Sequence, residues 1–558
     1  MTAQFDTRYD AVVIGAGHNG LTCALYLATN GIQPLVVERN ATIGGAVRSA
    51  ELTEPGFIHD VYSTNQNLFL QSSVYDDYGD ELAAHGLEFS TTEKPFCNVF
   101  PDGSALRIYS DTDRTNEELR NHSVADAEGW QELHDQFGHF QRTLLPLYEV
   151  SLPSASAVRA MATALHNTSI DKILADIRIV LSSTRELGTE YFETPEARAL
   201  MACWGMHLDF GPDVSGGGMF PFVESFSDLE AGVSVATGGA SSIVEALAGV
   251  LREAGGEVWT NAEVTQVVTD DDRAIGVEIA SGDRIGARTA VIGNLTPTVL
   301  FDDLLSHHSL PNRFEAYVDG YEYGPGTMMI HLALDDLPEW NGPDDIDEFA
   351  YVHIAPYVED LAETYTDSLN GLIPKSPFLV VGQTTAVDPS RTPDTGEILW
   401  IQVRTLPSTI EGDAAHEIEA TNWDDAKTPV ADRVIDKLEA YAPDVRELVR
   451  ERAVLSPVDL ERNNPNLHGG DSVTGSHHLR QNFLWRPFPG WSTYRMPIEN
   501  LYMIGAATWP GAGNNATSGQ LAAQRILNPG FGTKSLVATE KYIKQKATAV
   551  RNKLHFFY

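Results

Sequence analysis

The sequence predicts an α/β protein: a Rossmann-type nucleotide-binding domain interleaved with an α+β substrate domain that contains a helical insertion. Three stretches of the 558 residues carry this expectation. Asp10 to Arg48 reads as strand, glycine turn, helix, strand and acid. Ala236 to Asn294 holds a glycine pair, an amphipathic helix and a series of short strands. Asn500 to Leu527 runs strand, glycine-rich turn, helix.

In the first stretch, Ala11-Val12-Val13-Ile14 is too short for a helix and β-branched enough for a buried strand. Gly15-Ala16-Gly17-His18-Asn19-Gly20 follows as a G-x-G-x-x-G, then a helical pattern from Leu21 to Thr29, stopped by Asn30-Gly31. A second strand, Pro34 to Val37, ends on Glu38. Gly15 permits the tight turn, Gly17 lets a pyrophosphate approach the backbone, and Gly20 lets helix and strand pack closely. The helix N-terminus offers free N–H groups to phosphate. Glu38 stands near the spacing, about 20 residues past the glycines, of an acid that binds a ribose hydroxyl. Alone, the glycines would mark only a turn; flanked by strands and closed by an acid, they point to dinucleotide binding.

The chain then reads Arg39-Asn40-Ala41-Thr42-Ile43-Gly44-Gly45-Ala46-Val47-Arg48. The glycine pair brings more backbone close, and Arg48 is available to phosphate or flavin oxygens. This run resembles the E-(R/K)-x5-GG-x-x-R run of the large FAD-containing amine oxidase and phytoene desaturase superfamily, with four residues rather than five between Arg39 and Gly44. The resemblance implies a glutathione-reductase-like FAD-binding domain and FAD, held non-covalently, rather than NAD. It carries cofactor contacts onto Gly15, Gly17, His18, Asn19, Gly20, Glu38, Arg39, Gly44, Gly45, Ala46, Val47 and Arg48.

Residues 1–64 are thus the first part of the FAD-binding domain. Gly56-Phe57-Ile58-His59-Asp60 is similar to the family's G-F-x-x-D segment, which passes beside the flavin ring. His59 reads either as a group near that ring or as a strand-end histidine with a structural hydrogen bond. Residues 65–230 form the first part of the substrate domain. Strand pieces at Cys97 to Pro101 and Ala105 to Tyr109 give way to helix-compatible stretches, Ala127 to Tyr148, Ala155 to Arg185 and Leu200 to Trp204. Gly216-Gly217-Gly218-Met219 reads as a loop, and the aromatic and methionine residues around it suit either a pocket wall or ordinary core.

Residues 231–300 return to the cofactor. Ala236-Thr237-Gly238-Gly239 precedes a helix over Ile243 to Ala254, ended by Gly255-Gly256. Strands follow at Glu257 to Thr260, Val264 to Thr269, Ala274 to Ile279 and Ala290 to Asn294. This order is similar to the middle FAD-domain segment of phytoene desaturases, where the residue matching Val264 meets the adenine. Asn294-Leu295-Thr296-Pro297 resembles the family's N-A-D-P, without the acid.

Residues 301–490 complete the substrate domain, with strands at Thr327 to Leu332, Phe378 to Val381 and Ile398 to Val403 and a helix at Val430 to Leu438. Asn466 to Asp471 is similar to an N-x-x-x-G-D run that approaches the pocket in relatives, which makes His468 and Asp471 acid–base candidates beside His59; the other reading is a polar glycine turn. Residues 491–530 are the third FAD-binding part. Gly505, Ala506, Gly513, Asn514 and Asn515 lie in a glycine-rich turn before a helix, close to the family's strand-G-x-x-x-x-P-G-x-G-helix ending.

Composition excludes several classes. A net charge of −40 repels nucleic acid. Cys23, Cys97 and Cys203 are far apart, so there is no C-x-x-C pair, no disulfide scaffold and no metal site of that type. No second G-x-G-x-x-G for NAD(P)H is present, which argues against a disulfide reductase. No apolar run reaches the roughly 18 residues of a membrane span, so a cytoplasmic protein is expected. The tail, 531–558, carries six basic residues against Glu540 and ends His-Phe-Phe-Tyr. It suits peripheral contact with an anionic membrane, contact with a second subunit of a homo-oligomer, or docking on its own acidic domain. The resemblance implies an oxidoreductase that moves a hydride from a small apolar (isoprenoid or alicyclic) molecule to flavin N5, forming a C=C bond. A C–N oxidase acting on an amine and a non-catalytic flavin-binding partner protein are the alternatives.

Overall fold

The structure, a computed structural model, describes residues 5–393 and 395–528. The basic tail therefore lies outside the described residues.

The first sheet has the strand order Val264–Asp270, Arg273–Ile279, Arg284–Gly293, Thr7–Ile14, Pro34–Val37, Glu257–Trp259, with Leu501–Met503 alongside Arg284–Gly293. Thr7–Ile14 pairs in parallel on both sides, Val12 facing Val291 and Leu35. Residues 11–14 are buried throughout, as expected of a parallel strand covered on both faces. The strand expected at Ala290 to Asn294 starts earlier, at Arg284, and has ten residues. Its first part closes an antiparallel meander, and its last part runs parallel to Leu501–Met503. Arg284, Gly286, Arg288 and Thr289 hide this extension in the sequence; pairing of Ile285 with Thr7 supplies it.

The helices His18–Thr29, Ser241–Glu253 and Thr517–Leu527 share one apolar cluster, with Leu21, Leu25, Leu247, Leu251, Leu521 and Ala522 in it. The first and last approach closely: a Cβ on Gly519 would stand 2.1 Å from the Asn19 carbonyl oxygen.

The second sheet runs Val449–Leu455, Gly326–Leu334, Glu397–Leu406, Phe378–Gly382, Tyr351–Ile354, Phe96–Val99, Ala105–Ile108. One face packs on the helix Trp423–Glu439, whose Val430, Val434 and Leu438 meet Ile330, Ile401 and Val403. That helix begins earlier than the sequence suggests and runs through Pro429; its start is fixed by Asn422, whose side chain accepts the Asp425 N–H at 3.0 Å.

The opposite face meets the helical insertion. The stretch expected from Ala155 to Arg185 is divided into Ala155–Asn167, Ile170–Leu181 and Thr184–Tyr191, because Ser154, Ser169 and Ser183 each cap a new start. Ala127 to Tyr148 becomes Val124–Thr143 and a short 3-10 turn. The loop expected through Met219 ends at Gly218, and Met219–Ala231 is a helix with Pro221 in its first turn, where a missing N–H costs little.

A buried ionic joint ties the two sheets' regions together. Arg391 donates to Asp60 (2.7 Å), to Asp388 (3.0 Å) and to the Ala236 carbonyl (2.8 Å). Asp60 also accepts from Ser49 Oγ and the Ala240 N–H, both at 2.7 Å.

Candidate functional site

The glycine turn, the Glu38 strand end, residues 262–264, Asn294 and the Gly505 turn converge on one cavity of about 270 Å³. Its walls are shaped by close approach of backbone. Gly15 has φ +95°, and a Cβ on Gly20 would stand 2.1 Å from the Gly15 carbonyl oxygen. A Cβ on Gly505, at φ +102°, would stand 2.6 Å from Asn294 Oδ1, and one on Gly17 would stand 3.0 Å from Asn294 Nδ2. Asn294 is therefore wedged among the glycines at the pyrophosphate end, held by its own N–H to the Ile14 carbonyl at 2.9 Å.

Glu38 is buried at the end of its strand. One carboxylate oxygen accepts the Ala16 N–H at 2.9 Å; the other accepts the Asn40 N–H at 2.9 Å and Asn40 Nδ2 at 3.0 Å. These bonds fix the carboxylate at the cavity wall and leave one lone pair, on the oxygen that faces Ala16, for a ribose hydroxyl. Arg39 stands at the rim, 3.4 Å from Glu263. Val264, with Ala262 and Glu263, forms the adjoining wall. His18 lines the helix N-terminus, and burial pushes its pKa down to about 4, so the ring is neutral at pH 7.

The fit to FAD rests on Arg48. Its guanidinium lines the cavity, its Nε is buried with no hydrogen-bond partner, and it forms no ion pair among the described residues. Arg48 is half-buried, and an anionic phosphate or an electron-rich flavin oxygen is the partner that its unpaired guanidinium fits. Together with the glycine cradle and Glu38, it matches the ends of a flavin dinucleotide.

The other residues expected at the cofactor take different places. Gly15, Gly17, His18, Asn19, Glu38, Arg39, Gly45, Ala46, Arg48, Val264, Asn294, Gly505 and Ala506 line the cavity. Gly20 and Gly44 stand behind it; the Gly44 N–H binds the Ala16 carbonyl at 3.0 Å. Val47 turns into the apolar core under the sheet. Gly513, Asn514 and Asn515 are not in this wall: Asn514 Nδ2 donates to Ser63 Oγ (2.8 Å) and Gln66 Oε1 (3.1 Å), and Asn515 caps Thr517 at 3.0 Å.

The three acid–base candidates lie outside this cavity wall. His59 is 1% exposed; its Nε2 lies 2.7 Å from Thr53 Oγ1 and its ring packs edge-on against His331 at 5.2 Å. His468 is exposed and engaged with Glu461 at 2.8 Å. Asp471 is buried but committed to the N–H groups of Gly324, Val473 and Gly475 at 2.7–2.9 Å, which staple its loop. None of the three lines the cavity.

Sequence reasoning passed over Asn463, Asn464 and Pro465, which close the cavity from the substrate domain together with Asn466 and Leu467 of the expected N-x-x-x-G-D run. Asn466 Oδ1 accepts the Thr296 N–H at 2.9 Å, and its Nδ2 donates to the Asn294 carbonyl at 3.3 Å. The asparagine-rich run Asn463-Asn464-Pro465-Asn466 was the available signal.

Beyond the cofactor cavity, the inner face of the second sheet is aromatic. Strand alternation and pairing place Phe96, Tyr351, Phe378 and Trp400 on it, and Trp204 from Pro195–Gly205 packs against Phe96 (5.1 Å) and Tyr351 (6.4 Å). Glu224 and Asp228, one turn apart on Met219–Ala231, also face inward; burial raises both carboxyls, and Asn67 donates to Asp228 at 2.7 Å.

The chain thus presents the fold and cofactor cradle of a flavin-dependent oxidoreductase. The model of the family described as flavin containing amine oxidoreductase matches residues 20–527, and the chain belongs to that family. It is 27% identical to a rat protein called pyridine nucleotide-disulfide oxidoreductase domain-containing protein 2, over 93% of each chain. It is 27% identical to a limonene dehydrogenase chain of Castellaniella defragrans, over 93% of this chain and 94% of that one. Phytoene desaturases are also among its relatives. An oxidoreductase structure from Methanosarcina mazei shares the fold, with a TM-score of 0.59 at 14% identity, covering 93% of this chain and all of that one. The chain is an FAD-dependent oxidoreductase of the phytoene desaturase-like kind. No helix among the described residues is long and apolar enough to cross a membrane.

Proposed function

We propose that the chain is a dehydrogenase that forms a C=C bond in a largely apolar substrate, isoprenoid or alicyclic in kind. FAD, held in the glycine-lined cavity, would supply the hydride-accepting, two-electron oxidant for this reaction. The chain's residues bind and orient: Glu38, Arg48 and the glycine turns hold the cofactor, and the aromatic inner face of the second sheet holds an apolar body and excludes water. The observation that supports this reading most is that aromatic face, because a desaturase needs an apolar slot more than a strong base. The buried histidines nearby are neutral: burial lowers His353 to about 3 and His207 well below its ordinary value. The second proton goes to water or to the inward-facing Glu224 carboxylate. The name of the limonene dehydrogenase relative, that of an enzyme for an alicyclic hydrocarbon, favours the same class.

A second reading, oxidation of an amine C–N bond, is favoured by the Glu224/Asp228 pair, which offers carboxyl oxygens to an ammonium. Mass spectrometry of products from the FAD-loaded protein separates the two. Under our reading a product appears with two hydrogens fewer and its carbon skeleton intact. Release of ammonia or a shorter amine, with a carbonyl product, would replace it with the amine reading.

A further inference from the structure

We propose that the aromatic inner face of the second sheet carries an anion site centred on Arg404, and that the substrate is an apolar acid whose carboxylate docks there. This rests on the reading of that face as the place of the substrate.

Arg404 lies on Glu397–Leu406, paired in register with Phe378 and on the same face as Trp400 and Gln402. Its Nε donates to Gln402 Oε1 at 2.9 Å and its Nη1 to Ser472 Oγ at 2.7 Å, both neutral partners. Nη2 makes no hydrogen bond, and no carboxylate lies within ion-pair distance, among the described residues. Burial lowers the guanidinium to about 10, with Asp471 the acid whose field opposes that shift, yet Asp471 is spent on three backbone N–H groups. A half-buried cation with only neutral partners carries a desolvation cost that an anion would offset.

The surroundings are largely aromatic. The short turn Met206–Leu208 packs on the Arg404 strand, bringing His207 close enough that the guanidinium's charge adds to burial in lowering that ring. His207 is 4.7 Å from Trp204, 5.5 Å from His353 and 6.1 Å from Phe378, ring centre to ring centre. The Nε1 atoms of Trp204 and Trp400 and the Nε2 atoms of His207 and His353 are all buried without a hydrogen-bond partner. Asn98 Oδ1 accepts from His353 Nδ1 at 3.2 Å, so the second nitrogen of that neutral ring is an acceptor, and Gln402 Oε1 accepts from Arg404. A guanidinium with one free nitrogen and only neutral partners, set beside an aromatic wall, is what a carboxylate on an apolar body satisfies. The nearby acids Glu224 and Asp228 act on Tyr351 and not on Arg404.

The test uses the FAD-loaded protein and two probes of equal chain length, decanoate and 1-decanol, titrated by calorimetry. Decanoate is expected to bind about ten-fold or more tighter than decanol. Arg404→Gln should remove that preference while leaving decanol affinity and FAD affinity unchanged. Arg404→Lys, which keeps the charge and loses the planar fork, should retain part of the decanoate preference and leave decanol unchanged. Equal affinity for the two probes in the wild type, or a decanoate preference that survives Arg404→Gln, overturns the anion site. The reaction is judged separately: a flavin that neutral hydrocarbons bleach, without decanoate preference, sinks the anion site and keeps the dehydrogenase; decanoate preference without any C=C product does the reverse.

Discussion

Replacing Glu38 by Gln turns one acceptor oxygen into an NH2 donor and so removes hydrogen bonding on that side. Both Glu38 oxygens accept: one from the Ala16 N–H, the other from the Asn40 N–H and side chain. A glutamine has one acceptor oxygen, so in either orientation its NH2 group meets an N–H, at Ala16 or at Asn40. Ala16 is fully buried, so if its N–H loses the bond no water replaces it. A hydrogen bond to a charged group contributes roughly 1.5–3 kcal/mol, and a buried unsatisfied donor costs about 1–3 kcal/mol. Part of this falls on the apo-protein and part on the FAD complex, because the ribose loses an anionic acceptor. The expected result is FAD binding weakened roughly 10–100-fold, equivalent to about 1.4–2.8 kcal/mol, and an unfolding free energy lower by about 1–2 kcal/mol. Titration of apo-protein with FAD, read by quenching of flavin fluorescence, gives the first number, and urea unfolding of the apo-protein the second. An FAD affinity within about two-fold of wild type would refute the placement of the ribose at Glu38.

Three further outcomes follow from particular contacts. Gly20→Ala sets a Cβ 2.1 Å from the rigid Gly15 carbonyl; we expect a loss of roughly 1–3 kcal/mol in urea unfolding and no retained FAD, and a variant purified with full flavin would contradict this. Arg391→Met leaves Asp60 and Asp388 buried without their shared cation; thermal and urea unfolding should show a cost of about 3–5 kcal/mol, and a loss under about 1 kcal/mol would show that the joint contributes little. His59, depressed from 6.5 to about 4 chiefly by burial, gives a pH signature. Below pH 6.5 the unfolded chain takes up a proton that the folded chain refuses until about pH 4, so stability falls as pH falls through that window, by about 1.4 kcal/mol per pH unit for one group. His59→Gln should reduce the slope of unfolding free energy against pH between 6.5 and 4 by roughly that amount; an unchanged slope would refute a neutral His59.

Much of the cofactor side was legible because its chemistry is local. The glycines of 15–20, Glu38 and Arg48 lie within one short stretch of chain, where spacing and the family resemblance together point to them. The substrate side was not legible, for a physical reason. Trp204, Tyr351, Trp400 and Arg404 meet only through sheet pairing and a helical insertion, so no window of sequence contains them. Tyr351–Ile354 and Val449–Leu455 were missed as strands although both pair in the second sheet; they are short or mixed in polarity and owe their form to their neighbours. His59, His468 and Asp471 stood out because histidines and acids beside glycines look reactive. In the fold these side chains are spent on Thr53, Glu461 and backbone N–H groups. Asp60, next to His59, proved to be the joint with Arg391, a role that needs a partner more than 300 residues away.

The most direct measurement is the visible spectrum of the purified protein before and after anaerobic mixing with separate pools of apolar alicyclic or isoprenoid compounds and of amines. A flavin spectrum that the apolar pool bleaches is the expected result. Bleaching by the amine pool alone would contradict the C–C dehydrogenase, and a protein showing no flavin spectrum even after FAD is added would contradict the cofactor cavity itself.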